Sequence, residues 1–313
     1  MNHTGELAAF GTAICWTLSA IFFERASKRI SVLAVNLFKL ILSFGFLVVT
    51  ATILRGIPFP TDAPPRAWLF LTISGVVGFV ITDFFLFTAY KTIGSRVSSL
   101  FLALSPTITA LLGFIFLGER LGWRGLVGMG MVISGILVTV VAKGDLKIAG
   151  RKVSGLPPEH GDLRPAQLSK VDRRGYLFAF LACIGQAIGM ILTKHGLQDY
   201  NPVAGSTIRS LAGVGGFLVF GFLTDRGRSF TTALKDKTAL KFTFLGAIVG
   251  PFLGVTLSLF AMQRTQAGVV STLIGLTPVL IIPPSILLFK QKVKPAEIGG
   301  ALLAVAGSAV FFL

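Results

Sequence analysis

Ten apolar runs, each close to twenty residues and bounded by charges or turn residues, occupy approximately 7–24, 32–54, 67–90, 95–118, 123–142, 174–194, 202–224, 239–262, 266–289 and 295–313. A bilayer core about 30 Å thick takes about 20 helical residues per crossing, so runs of this length read as membrane spans. Hydrocarbon offers no water to satisfy backbone polar groups, which restricts spanning structures to helices and closed barrels. A barrel needs short alternating strands, and the sequence lacks them. The expected fold class is therefore all-α: a polytopic membrane protein with ten transmembrane helices.

Composition agrees. Of 313 residues 53% are hydrophobic and only 13% charged, where a soluble protein carries about 25% charged residues. The mean hydropathy of +0.80 excludes disorder. A disulfide scaffold is excluded as well, because Cys15 and Cys183 are the only cysteines and each lies in an apolar run. The first run has no basic residue before it and is followed by Glu24, Arg25, Lys28 and Arg29, so it is expected to stay in the mature chain rather than be cleaved as a signal. Trp68 and Trp123 open spans 3 and 5, and Tyr90, Tyr176 and Tyr200 sit at span ends, where amphipathic rings settle at headgroup level.

The net charge of +16 admits two explanations: a nucleic-acid surface, or basic loops that set topology. Sorting the basic residues by loop separates them. The loops after spans 1, 3, 5, 7 and 9 hold 21 Lys and Arg, and the opposite loops hold 6: Arg55, Arg66, Arg120, Arg124, Lys194 and Arg264. Only Lys39 and Arg209 remain inside spans. The positive-inside rule places the richer set in the cytoplasm and both termini outside, in the manner of a bacterial inner-membrane protein. The basic residues are spread over five loops without an interleaved aromatic platform, so no nucleic acid is expected as a partner. The expected contacts of these loops are anionic lipid headgroups.

Sliding the chain on itself uncovers a repeat. At a shift of 172, residues 70–138 lie on 242–310 without a gap, pairing Gly78 with Gly250, Ala89 with Ala261, Pro106 with Pro278, Gly128 with Gly300 and Gly135 with Gly307. A shift of 170 aligns the start, placing Gly5, Leu7, Ala9 and Phe10 on Gly175, Leu177, Ala179 and Phe180, and Lys39 on Arg209. The expected organisation is a first five-helix repeat at 1–142, a charged linker at 143–173 and a second repeat at 174–313. Five is odd, so the second copy enters the membrane from the opposite side. Inverted repeats of this kind are a recurrent architecture of secondary transporters. Small residues recur at four-residue spacing in span 8 (Gly246, Gly250, Gly254) and at the aligned positions of span 3 (Ser74, Gly78, Thr82), with Gly185 and Gly189 in span 6 and Cys15 and Ser19 in span 1. Such ridges let helix backbones approach closely.

The stretch SSLFLALSPTITALLGFIFLGERLGWRGLVGMGMVISGILV, residues 98–138, resembles the end of an EamA domain of the drug/metabolite transporter superfamily: a small-residue helix start, a mid-helix Pro, a Leu-Gly-Glu-Arg turn and a Gly-rich last helix. The second copy, 271–312, is similar but has Phe-Lys-Gln-Lys at 289–292 where the first has Leu117-Gly118-Glu119-Arg120. The resemblance implies ten helices in a 5+5 inverted arrangement around a central cavity. It also implies export or exchange of a small metabolite such as an amino acid, nucleoside or sugar derivative. Family members are commonly drawn with both termini in the cytoplasm, whereas the loop charges of this chain indicate the reverse.

Ionisable groups inside spans are costly and mark candidate sites. Asp83 in span 3 is placed to neutralise Lys39 in span 2, while Arg209 in span 7 has no acidic partner inside its own half. The alternatives are snorkelling of the two long cations to the headgroups and a purely structural pair for Asp83. Pro106 and Pro278 each release a backbone carbonyl one turn earlier, near Leu102 and Ile274, and paired broken helices at corresponding positions point to a transporter's binding site. Trp16 and its aligned Gln186 are further cavity candidates. No P-loop, His-Glu-x-x-His, Cys-x-x-Cys or Gly-x-Ser-x-Gly motif occurs, so neither a cofactor, nor a metal, nor an enzyme activity is expected. An intramembrane enzyme acting on lipid-linked substrates is the alternative reading. The expected partner is a small-molecule solute, and a homodimer is left open.

Overall fold

The computed structural model describes residues 4–105, 107–109, 111–112, 123–143, 165–198, 200–262, 264, 273–289 and 293–310. The regular elements among the described residues are all helices, and the chain is an all-helical polytopic membrane protein. The elements are α1 (Thr4–Ser27), α2 (Val32–Arg55), α3 (Pro65–Ile93), α4 (Ser95–Leu102), α5 (Trp123–Lys143), α6 (Pro165–Leu197), α7 (Pro202–Asp225) and the short α8 (Arg228–Ala233). They continue with α9, which runs unbroken through Lys237–Ala247, Ile248–Gly254 and Val255–Met262, then α10 (Thr277–Leu280), α11 (Ile282–Phe289) and α12 (Pro295–Val310). Among the described residues six of these helices are long and apolar enough to cross a membrane.

Local chemistry fixes the ends. Ser31 caps α2 by accepting from Ala34 N at 3.2 Å, and Gly56 closes it at φ +70°, a left-handed conformation that favours glycine. Asn201 caps α7 ahead of Pro202, whose missing N–H is harmless at a first helical position. α6 begins at Pro165, inside the stretch read from sequence as linker; residues 144–164 lie outside the described residues.

The two repeats are related in three dimensions as well as in sequence. Both α3 and α9 widen into a π-helical turn, at Val76–Ile81 and Ile248–Gly254, positions that correspond under the 172-residue shift. In α3, Thr82 bonds back to the Val77 carbonyl through both its N–H and its hydroxyl, a five-residue step. In α9, Pro251 removes a donor from the regular ladder. Spans 4 and 9 also break at corresponding places: a turn at 103–104 follows α4, and a turn at 275–276 precedes α10.

Each repeat lends its first helix to the other repeat's third. Ser74 of α3 donates to Gly189 O of α6 at 2.8 Å and bonds Thr193 at 2.7 Å. In the mirror contact, Ser19 of α1 donates to Gly246 O of α9 at 3.0 Å. Gly78 faces Gly189, and a Cβ on Gly189 would stand 3.1 Å from Gly78 Cα. Its equivalent Gly250 faces Ser19, where a Cβ would collide with the hydroxyl. The last helices cross with the same symmetry. A Cβ on Gly135 would collide with Gly300 O, and one on the aligned Gly307 would lie 2.7 Å from Gly128 O. The small-residue ridges expected from sequence are thus the surfaces on which the repeats meet.

Polar contacts define two faces. Arg29 pairs with Asp236 at 2.9 Å, Arg96 with Glu297 at 2.8 Å, and Lys294 Nζ donates to Ala142 O at 2.6 Å, which gathers the ends of spans 1, 4, 5, 8 and 10. On the other face Asp62 takes Arg55 at 2.5 Å and the Tyr200 hydroxyl at 3.0 Å.

Candidate functional site

Three of the sequence candidates meet where α2, α3 and α7 converge. Asn36, Lys39 and Asp83 come from the first repeat and Arg209 from the second. Lys39 is 6% exposed, and its ammonium pairs directly with the Asp83 carboxylate. It also lies over two aromatic rings, 4.8 Å from the centroid of Phe87 and 5.7 Å from that of Phe23. Lys39 therefore does not snorkel. The apolar rings screen the pair from lipid, and the ring faces share the cation's charge. Asn36 lies one turn before Lys39, fully buried; its amide nitrogen donates to Val32 O at 3.0 Å and Asp83 O at 3.4 Å, while Oδ1 has no partner.

Arg209 behaves differently from its aligned residue Lys39. The position equivalent to Asp83 in the second repeat is Val255, so α9 offers no carboxylate. Arg209 instead lies across α3 of the other repeat, with Cζ 4.7 Å above the centroid of Phe79. Two glycines of α3 make room. A Cβ on Gly75 would stand 2.5 Å from the Arg209 carbonyl oxygen, and one on Gly78 would stand 3.1 Å from Nη2. Asp83 is near enough for the two charges to sense each other, yet among the described residues no ion pair or hydrogen bond reaches the guanidinium. Its Nε is buried without a partner.

The remaining candidates lie elsewhere. Trp16 is 36% exposed and rests against Gly250 and Gly254, beside the π turn of α9. Gln186 is half-buried on α6 next to Gly185, which packs against Thr82 at the π turn of α3. Trp16 thus borders the π turn of the opposite repeat, and among the described residues no hydrogen bond, ion pair or ring contact joins Trp16 or Gln186 to Lys39, Asp83 or Arg209. Pro278 is buried in α10, and the carbonyl it releases is not free: the Thr277 hydroxyl donates to Ile274 O at 2.7 Å. Pro106 lies outside the described residues. Near it, Phe101 O accepts from the Cys183 thiol at 2.9 Å.

Sequence reasoning missed Asn36, Phe79 and Phe87. Their spacing was the available signal, since Asn36 is three residues before Lys39, and Phe79 and Phe87 are four before and four after Asp83, on the same helix faces. It also missed the Arg96–Glu297 pair: Arg96 was counted only among the basic loop residues, and Glu297 was not singled out.

Comparison with known proteins decides the family. The EamA-like transporter family is matched at residues 3–141 and again at 173–313. The chain belongs to the EamA-like transporter family. It carries two EamA domains and is an integral membrane protein of a transporter family, not an enzyme. A solved crystal structure is similar over 99% of this chain and 96% of its own, with a TM-score of 0.59 and 19% sequence identity, which shows a shared fold. No curated protein matches the sequence.

Proposed function

We propose that this EamA-family protein is a secondary transporter that moves a small metabolite of the amino-acid, nucleoside or sugar-derivative class by alternating access, in export or exchange. One observation carries the reading: a cation of the second repeat, Arg209, lies against α3 of the first without an ionic partner, beside the Lys39–Asp83 pair. A site assembled from both repeats changes its exposure when one repeat rocks against the other. The crossed glycine contacts Gly78–Gly189 and Gly135–Gly300 provide close surfaces for such motion. The loop charges favour a cytoplasmic position for the face that carries Arg29, Arg96 and Asp236.

The test is flux of a radiolabelled metabolite panel into proteoliposomes. Wild type is expected to move at least one solute, and Arg209→Ala and Asp83→Asn are expected to impair that flux while still inserting in the membrane. Failure of every solute to cross contradicts the transport reading; normal flux in both variants removes the two residues from the site.

A further inference from the structure

We propose that the cluster at Arg209 selects solutes that carry an oxyanion, a carboxylate or a phosphate, bound on the free N–H edge of the guanidinium. The inference rests on the transporter reading and adds the charge class of what is carried.

Charge balance points this way first. Among the described residues the cluster holds two cations, Lys39 and Arg209, and one anion, Asp83. Lys39 takes the carboxylate directly, which leaves the guanidinium as an uncompensated positive charge. The surplus has a clear origin in the repeat: the cation is kept in both copies, as Lys39 and Arg209, but the acid only in the first, Asp83 against Val255. An uncompensated charge inside the membrane is disfavoured, and a group that supplies the missing anion removes that penalty.

The guanidinium is, moreover, positioned rather than free to reach a headgroup. Cζ lies over the Phe79 ring, 4.7 Å from its centroid, and Gly78 leaves the space that Nη2 occupies. The guanidinium N–H fork matches the two oxygens of a carboxylate or phosphate. Nε, one tooth of the fork, is buried with no acceptor. A second unsatisfied polar atom, Asn36 Oδ1, belongs to the residue whose amide nitrogen donates to Asp83 O.

The same oxyanion chemistry is offered by the phosphate of a lipid headgroup, so the test separates the two. Thermal unfolding of the full chain in a maltoside detergent is measured at constant ionic strength with matched probes: acetate and acetamide, lactate and lactamide, glutamate and glutamine, glycerol 3-phosphate and glycerol, and inorganic phosphate. A further arm adds phosphatidylglycerol alone. At least one free anion is expected to raise Tm by about 2 to 4 °C near saturation. Its neutral twin is expected to leave Tm unchanged, Arg209→Gln to abolish the shift, and Arg209→Lys, which keeps the charge but loses the fork, to retain part of it. Phe79→Leu removes the supporting ring without touching charge and is expected to reduce the shift, which keeps the test intact if Arg209→Gln does not fold. The proposal is overturned if no anion raises Tm, if neutral twins act equally, if the shift survives in Arg209→Gln, or if only phosphatidylglycerol stabilises. Binding is read here without flux, so a loss of the transport reading and a loss of the charge class register in different measurements.

Discussion

Arg96 at the start of α4 and Glu297 in the first turn of α12 form an ion pair across the two repeats at 2.8 Å, with side chains 10% and 4% exposed. Glu297 also caps its own helix, since its Oε1 accepts from Lys294 N at 3.1 Å, the reach-back bond of a capping box. Two donors of Arg96, Nε and Nη1, are buried without partners, so Glu297 is the chief compensation for that charge. Breaking a buried pair from one side costs about 3 to 5 kcal/mol, because the other charge stays behind. Glu297→Ala is therefore expected to lower Tm strongly, and Arg96→Met with Glu297→Leu to lower it less than the single change. Glu297→Gln, which keeps the capping bond, isolates the charge. Thermal unfolding of the four proteins side by side checks this.

Glycines at the repeat interface differ from those facing outward. Gly250→Val drives a side chain into Ser19, whose hydroxyl already fills the Cβ position, and overpacking of this kind costs about 1 to 3 kcal/mol. Gly45 has nothing within 4 Å of its Cβ position and lies inside α2, so Gly45→Ala is expected to stabilise by about 0.5 to 1 kcal/mol through helix propensity. Opposite signs of the Tm change in these two variants are the expected result.

Acid sensitivity is expected at the basic face. The backbone N–H of Ala239 holds the Asp236 carboxyl below its ordinary value of 3.8, helped by Arg29. A carboxyl whose folded value is depressed contributes stability that is complete above 3.8 and is lost as the pH falls through the folded value. Asp236→Asn keeps a good helix cap but cannot titrate. The wild type is therefore expected to lose more Tm than Asp236→Asn between about pH 5 and pH 3, as a pH series of unfolding curves measures.

The 21 basic residues in the loops after spans 1, 3, 5, 7 and 9, against 6 in the opposite loops, predict that both termini lie outside. Alkaline phosphatase fused after Leu313 is expected to be active and green fluorescent protein fused there to be dark, since the first matures outside the cytoplasm and the second within it. The reverse pattern contradicts the loop-charge argument.

The spans were legible because hydrocarbon leaves a chain so few choices: Val32–Arg55 and Pro202–Asp225 fall within a residue of the apolar runs that announced them. The Lys39–Asp83 pair was legible because two opposite charges in neighbouring spans have few other ways to be neutralised. Arg209 was legible as an oddity but not in its place, since a side chain's reach into the other repeat depends on how the repeats pack, which no spacing along α7 encodes. The π turns left no mark in hydropathy, apart from Pro251 as a hint in one copy. The donor that the carbonyl below Pro278 finds is local: Thr277, the residue just before the proline, replaces the missing N–H through its side chain.

Alternating access requires that the site shared by the two repeats be exposed to each side of the membrane in turn. Phe79, half-buried against Arg209, reports on it. With Cys15 and Cys183 replaced by Ala and a single cysteine placed by Phe79→Cys, a membrane-impermeant thiol reagent is applied to oriented vesicles from one side and then, in a separate sample, from the other. Modification from both sides is the predicted result; modification from one side only, or from neither, contradicts it.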